Sequence, residues 1–140
     1  MNQKLNKDSI LILIVEDEPN NLFLMKKLLC FEGVDKDHIL SCDKDPIDLL
    51  LNIDKNIDLI FLDIHLPKKD GYEILKELKS NDKTKNSIVI ALTASVMNQD
   101  IEKAKEAGFD GFIGKPIDGR HFSQTFSKIL NGESIWSISG

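Results

Sequence analysis

The apolar positions of this chain switch between two periods. Ile10 to Val15 is an unbroken apolar run of strand length, as expected for a strand covered on both faces. From Asn21 the period lengthens: Leu22, Met25, Leu28 and Leu29 recur at helical spacing, with Lys26 and Lys27 on the other side, and the pattern stops near Gly33. His38 to Cys42 predicts a second strand. Asp45-Pro46 then reads as an N-cap with proline in the first turn of a second helix, whose inward residues are Ile47, Leu50 and Leu51 and which ends before Asp58. Leu59-Ile60-Phe61-Leu62 is a third strand that delivers Asp63 to its own C-terminal end, and Pro67 cannot continue a sheet interior. Gly71 starts a helix with Ile74, Leu75 and Leu78 at core spacing. Ser87 to Leu92 is a fourth strand that runs into Thr93-Ala94-Ser95. Ile101, Ala104 and Ala107 mark a helix stopped by Gly108, and residues 110–114 form a short fifth strand ending at Lys115-Pro116. Phe122, Phe126, Ile129 and Leu130 give the last helix its inward face, closed by Gly132.

Five strands alternating with five helices imply a parallel sheet with right-handed crossovers and helices on both faces. In such a sheet the strand-to-helix turns share one edge, which is where ligands bind. Element order alone therefore gathers Glu16, Asp17, Asp63, Thr93 and Lys115 on one rim.

Composition narrows the class. The chain has 140 residues, 41% hydrophobic and 29% charged. That suits one domain, and a domain of about this size buries roughly 68–70% of its unfolded surface without disulfide or metal. No window approaches the ~20 apolar residues of a membrane span, and the polar N-terminus lacks the apolar region of a secretory signal. A net charge of −5 argues against nucleic-acid binding, which clustered Lys and Arg would carry. Cys30 and Cys42, with no CxxC and no histidine nearby, read as reduced packing residues of a cytoplasmic protein.

The rim carries the chemistry. Two unit charges about 5 Å apart repel by roughly 3 kcal/mol at an effective dielectric of about 20. Three carboxylates there must hold a cation, share a proton or accept an ammonium. Oxygen ligands without cysteine point to Mg²⁺, which favours one or two carboxylates plus phosphate oxygens. Lys115 and the Thr93 hydroxyl can meet phosphoryl oxygens, so the set suffices for in-line transfer onto Asp63.

Four blocks, Ile14-Val15-Glu16-Asp17-Glu18-Pro19, Phe61-Leu62-Asp63-Ile64-His65-Leu66-Pro67 with Asp70-Gly71, Ala91-Leu92-Thr93-Ala94 and Gly114-Lys115-Pro116, resemble the receiver domain of bacterial two-component response regulators. The resemblance covers roughly residues 9 to 131, leaving 1–8 as a flexible N-terminal segment and 132–140 as a tail. It implies a flavodoxin-like (βα)5 fold, α/β and doubly wound, with strand order 2-1-3-4-5. It further implies that Asp63 accepts phosphate from a sensor histidine kinase or a histidine phosphotransfer protein. Asp17, Asp63 and the His65 backbone carbonyl would bind Mg²⁺ directly, with Glu16 acting through water. Thr93 and Lys115 would contact the phosphoryl group, Phe112 would be the switching aromatic, and Lys115-Pro116 would be a candidate cis bond. The short ending resembles stand-alone receivers of the cell-cycle regulator type, with no room for an output domain after Glu133. The phosphorylated surface, monomeric or in a phosphorylation-dependent dimer, would then meet a downstream protein target.

Three features sit outside the shared pattern. His65 is placed to tune the lifetime of a phospho-aspartate, a task Ser95 could share. The apolar tail around Trp136 either caps a nearby groove or makes a partner or dimer contact. Among competing functions, an aspartyl phosphatase of the haloacid dehalogenase type needs a second aspartate where His65 stands. A flavodoxin needs a phosphate-cradling loop where this chain is acidic. A non-phosphorylated docking module is the remaining alternative.

Overall fold

The computed structural model describes residues 4–94 and 97–136. Its elements follow the sequence pattern: β1 (Ile12–Val15), α1 (Pro19–Phe31), a 3-10 turn (Lys36–His38), β2 (Ile39–Cys42), α2 (Ile47–Leu51) and β3 (Leu59–Asp63). Then come α3 (Gly71–Ser80), β4 (Ile88–Thr93), α4 (Asn98–Ala107), β5 (Gly111–Gly114) and α5 (Gly119–Leu130). The strands form one parallel sheet in the order β2-β1-β3-β4-β5, the flavodoxin-like topology expected.

Two cores flank the sheet because strand side chains alternate faces. Ile12, Ile14, Leu59 and Phe61 join Met25 and Leu29 of α1 and Phe122, Phe126 and Ile129 of α5. Leu13, Val15, Ile60 and Leu62 point the other way, onto Leu50 of α2, Ile74, Leu75 and Leu78 of α3, and Ala104 of α4. This two-sided burial explains why the central strands read as continuous apolar runs. Among the described residues, no helix is long and apolar enough to cross a membrane.

Caps fix where the helices begin. Asp70 accepts from the Tyr72 N–H at 2.7 Å, Asp118 from the Arg120 N–H at 2.9 Å, and Asp45 from the Ile47 N–H at 3.1 Å. Gly108 ends α4 at φ 106°, in the left-handed region that favours glycine. The Lys115-Pro116 bond is cis. At the N-terminal end, the Leu5 N–H donates to the Leu130 carbonyl at 2.7 Å.

Three expectations fail. Leu51 is 74% exposed, because a five-residue helix of little more than one turn presents only Leu50 squarely to the sheet. Ala107 faces solvent; past Gly108 the chain folds back, Phe109 donates its N–H to the Ala104 carbonyl, and its buried ring fills the space under the helix end. Cys30 is exposed rather than a packing residue, whereas Cys42 is half-buried with its thiol donating to the Lys44 carbonyl.

Candidate phosphoacceptor site

The rim is built by strand register. Val15 pairs with Leu62, so Glu16 and Asp63 are the next residues out on adjacent strands. Thr93 pairs with Gly114, and the Lys115 N–H donates to the Thr93 carbonyl at 2.8 Å, which holds those two residues side by side across β4 and β5. Behind Asp63 the loop into α3 is packed tightly. A Cβ on Gly71 would stand 2.6 Å from Ile64 Cα and 2.9 Å from the Asp63 carbonyl oxygen, so only glycine lets the helix start approach the loop this closely.

The side chains converge as the sequence implied. One carboxylate oxygen from each of Glu16, Asp17 and Asp63 can be chosen so that all lie within 4.8 Å of one another, Glu16 and Asp63 buried and Asp17 exposed. The Lys115 ammonium lies 2.8 Å from Asp63 Oδ2 and 3.0 Å from Glu16 Oε1. Asp63 Oδ1 accepts the His65 backbone N–H at 2.9 Å, and Glu16 Oε2 accepts the Glu18 N–H at 3.1 Å. Glu16 Oε1 is buried and accepts no hydrogen bond despite its closeness to the ammonium.

These surroundings separate the two buried acids. Burial pushes the Glu16 carboxyl above its ordinary range; Lys115 and the Glu18 N–H pull the other way, but burial with the added effect of neighbouring Asp63 outweighs them. Burial acts on Asp63 in the same sense, but the Lys115 ammonium, the His65 N–H and the Glu16 carboxyl outweigh it and hold Asp63 below its usual range. Lys115 loses by burial and gains more from Asp63 and Glu16, so its pKa rises. A proton entering the pair therefore favours Glu16, while Asp63 is held in its anionic form.

Thr93 is buried on the neighbouring strand, and its hydroxyl lies 3.4 Å from Nε2 of the exposed His65. Phe112 is buried and lines, with Thr93, His65, Ile101 and Ala104, a cleft of about 70 Å³. Ser95 lies outside the described residues. Two details escaped the sequence reading, the Lys69 bridge and the strand on which the tail docks. Lys69 bridges Asp45, at 2.7 Å, and Glu77, tying the loop after β3 to α3 and to the loop after β2. The tail docks on β5, where Gly111 pairs with Ile135. Charge signs alone would have allowed the Lys69 contacts among many others, and the glycine that opens β5 was the available hint of the second.

Comparison with known proteins agrees with this geometry. Residues 12–127 match the response regulator receiver domain family. The polar-differentiation response regulator DivK of Brucella ovis is 33% identical over 119 residues, covering 85% of this chain and 94% of that protein. The osmosensing histidine protein kinase SLN1 of Saccharomyces cerevisiae is 34% identical over 116 residues. That match takes in 80% of this chain, which spans only 9% of the kinase's length. Among solved structures, the receiver domain of the sensor histidine kinase PA1611 of Pseudomonas aeruginosa, with magnesium coordinated in its active-site cleft, superposes with a TM-score of 0.70. It is 25% identical, over 87% of this chain and 97% of that one. An acidic pair and an aspartate at the sheet's C-terminal edge, answered by a lysine from β5, thus meet a family match over most of the sequence, and the chain belongs to the response regulator receiver domains.

Proposed function

We propose that Asp63 is the phosphoacceptor of a cytoplasmic two-component pathway and that the phosphorylated surface carries the signal to a protein target. The observation that supports this most is the Lys115 ammonium, 2.8 Å from Asp63 Oδ2 within the cluster of three carboxylates. The donor is a phosphohistidine of a sensor kinase or phosphotransfer protein. An Asp63 oxygen forms the new bond to phosphorus while the bond from phosphorus to the donor imidazole nitrogen breaks. The imidazole leaves with that electron pair and is reprotonated by solvent. The chain thus promotes its own phosphorylation, and by admitting water its own dephosphorylation.

The residues fit a hard divalent cation. All donors are oxygens, three carboxylates face one ammonium, and buried Glu16 Oε1 is left without a hydrogen bond. Asp17 and Asp63 would hold Mg²⁺ with the His65 carbonyl, and Glu16 through water. When bound, the ion neutralises charge on the phosphoryl oxygens. Lys115 supplies fixed positive charge to the same oxygens, and the Thr93 hydroxyl donates to another. Drawing Thr93 toward the phosphoryl group opens room for Phe112 in the adjoining cleft, shifting the balance between two surface states.

Titration with beryllofluoride and Mg²⁺, read at the Thr93 and Phe112 amides, tests this. Saturable shifts that vanish in Asp63→Asn are expected. Absence of any shift would mean a docking module that keeps the fold without the chemistry.

A further inference from the structure

Beyond α5 the chain turns at Gly132, φ 80°, and runs back along β5. Ile135 forms a parallel bridge with Gly111, and the Phe112 N–H donates to the Ile135 carbonyl at 2.7 Å. Ile135 therefore pairs with the outer edge of β5 at its first residues, and it is 4% exposed. The approach depends on Gly111. A Cβ there would stand 2.8 Å from the Ile135 carbonyl oxygen and 2.9 Å from its nitrogen, closer than real Cβ atoms come. The next residue, Trp136, places its ring 6.3 Å from Phe112 at 34°, with Lys105 of α4 5.2 Å from the indole.

Phe112 is thus shared between two neighbours. One is the cleft that Thr93 lines; the other is Trp136. Ile135 also packs into the core on the α1 and α5 side, so the segment is held by that buried side chain, the bridge and the contacts of Trp136; of these, the hydrogen bond from the Phe112 N–H and the ring contact depend on where Phe112 stands. We infer that residues 133–136 form a releasable strap over the β5 edge, docked through Gly111 and Trp136 and let go when Phe112 moves into the cleft beside Thr93. The trigger rests on the phosphoryl-acceptor reading given above; the docking does not. While docked, the strap blocks strand addition at β5 and holds Phe112 out of the cleft. By linkage, whatever is gained at Asp63 when Phe112 moves is opposed by the strap to the same extent.

Amide hydrogen exchange of the full chain tests both halves, with Gly111→Ala and Trp136→Ala as variants and site loading followed separately at the His65 amide. Both variants, properly folded by their β1 and β3 signals, are expected to exchange the Phe112 amide about tenfold or more faster than wild type without ligand. Wild type loaded with beryllofluoride and Mg²⁺ should exchange it as fast as the variants. Both variants should bind beryllofluoride about fivefold or more tightly, the reciprocal of strap release. Equal Phe112 protection in wild type and both variants would overturn the docking. Persistent protection in wild type whose His65 amide reports full loading would overturn the coupling alone. If the His65 amide reports no loading at all, the phosphoryl-acceptor reading falls and the trigger with it, while the variant comparison still decides the strap.

Discussion

Lys115 Nζ stands 2.8 Å from Asp63 Oδ2 and 3.0 Å from Glu16 Oε1, so one ammonium offsets two buried carboxylates brought from β1 and β3. Replacing it, as in Lys115→Met, leaves those charges uncompensated. Breaking such a pair costs about 3 kcal/mol. Urea unfolding at neutral pH without metal should show a loss of that order. The deficit should narrow as pH falls and the carboxylates protonate, and added Mg²⁺ should restore part of it. Unchanged stability would mean that the ammonium does not offset these charges.

Asp17 is exposed and belongs to the same acidic cluster. Asp17→Asn removes one repulsive charge, so metal-free stability should stay within about 0.5 kcal/mol of wild type or rise. Mg²⁺ affinity, followed by calorimetry, should fall by roughly tenfold or more, as for a lost carboxylate ligand. Marked destabilisation of the metal-free variant would give Asp17 a structural role instead.

His65 Nε2 lies 3.4 Å from the Thr93 hydroxyl, and the His65 backbone N–H donates to Asp63 Oδ1. His65→Ala is expected to change the rate of phosphate release. Identical release rates for the two proteins would dismiss the histidine from this role.

The two thiols should respond differently to alkylation. Burial pushes Cys42 up from 9.0 to about 11, an effect that Asp43 and Asp45 reinforce, while Cys30 is exposed. Cys30 should therefore label first at pH 8. Cys42 labelling should rise about tenfold per pH unit until its thiol titrates. The sign of the stability effect follows. Between 9.0 and about 11 the unfolded thiol has lost its proton and the folded one has not, so stability falls as pH rises through that window and is unaffected below it. Equal labelling rates at the two cysteines would contradict the burial.

Strands and site were legible for one reason. In a parallel sheet buried on both faces, strands are apolar runs, and the residue that follows each run must lie at the ligand edge. Asp63, Glu16, Thr93 and Lys115 are such residues, and the structure brings them together as expected. Helix faces were read less well where helices are short or ending. Leu51 sits at the end of a one-turn helix, and Ala107 gives up its place to Phe109 after a left-handed glycine. Contacts set by tertiary approach left only faint traces. The Lys69 bridge joins residues 24 positions apart, and the pairing of Gly111 with Ile135 depends on where α5 returns the chain. The sequence did mark Trp136 as unusual, and the described structure sets it against Phe112 beside the bridge from Ile135 to β5.

The most direct measurement is the intact mass of the protein after incubation with acetyl phosphate and Mg²⁺, for wild type and Asp63→Asn side by side. Wild type should gain one phosphoryl group, lose it again on standing, and gain none when Mg²⁺ is chelated, while Asp63→Asn gains none under any condition. No gain in wild type, or an equal gain in Asp63→Asn, would contradict the assignment of Asp63 as the phosphoacceptor.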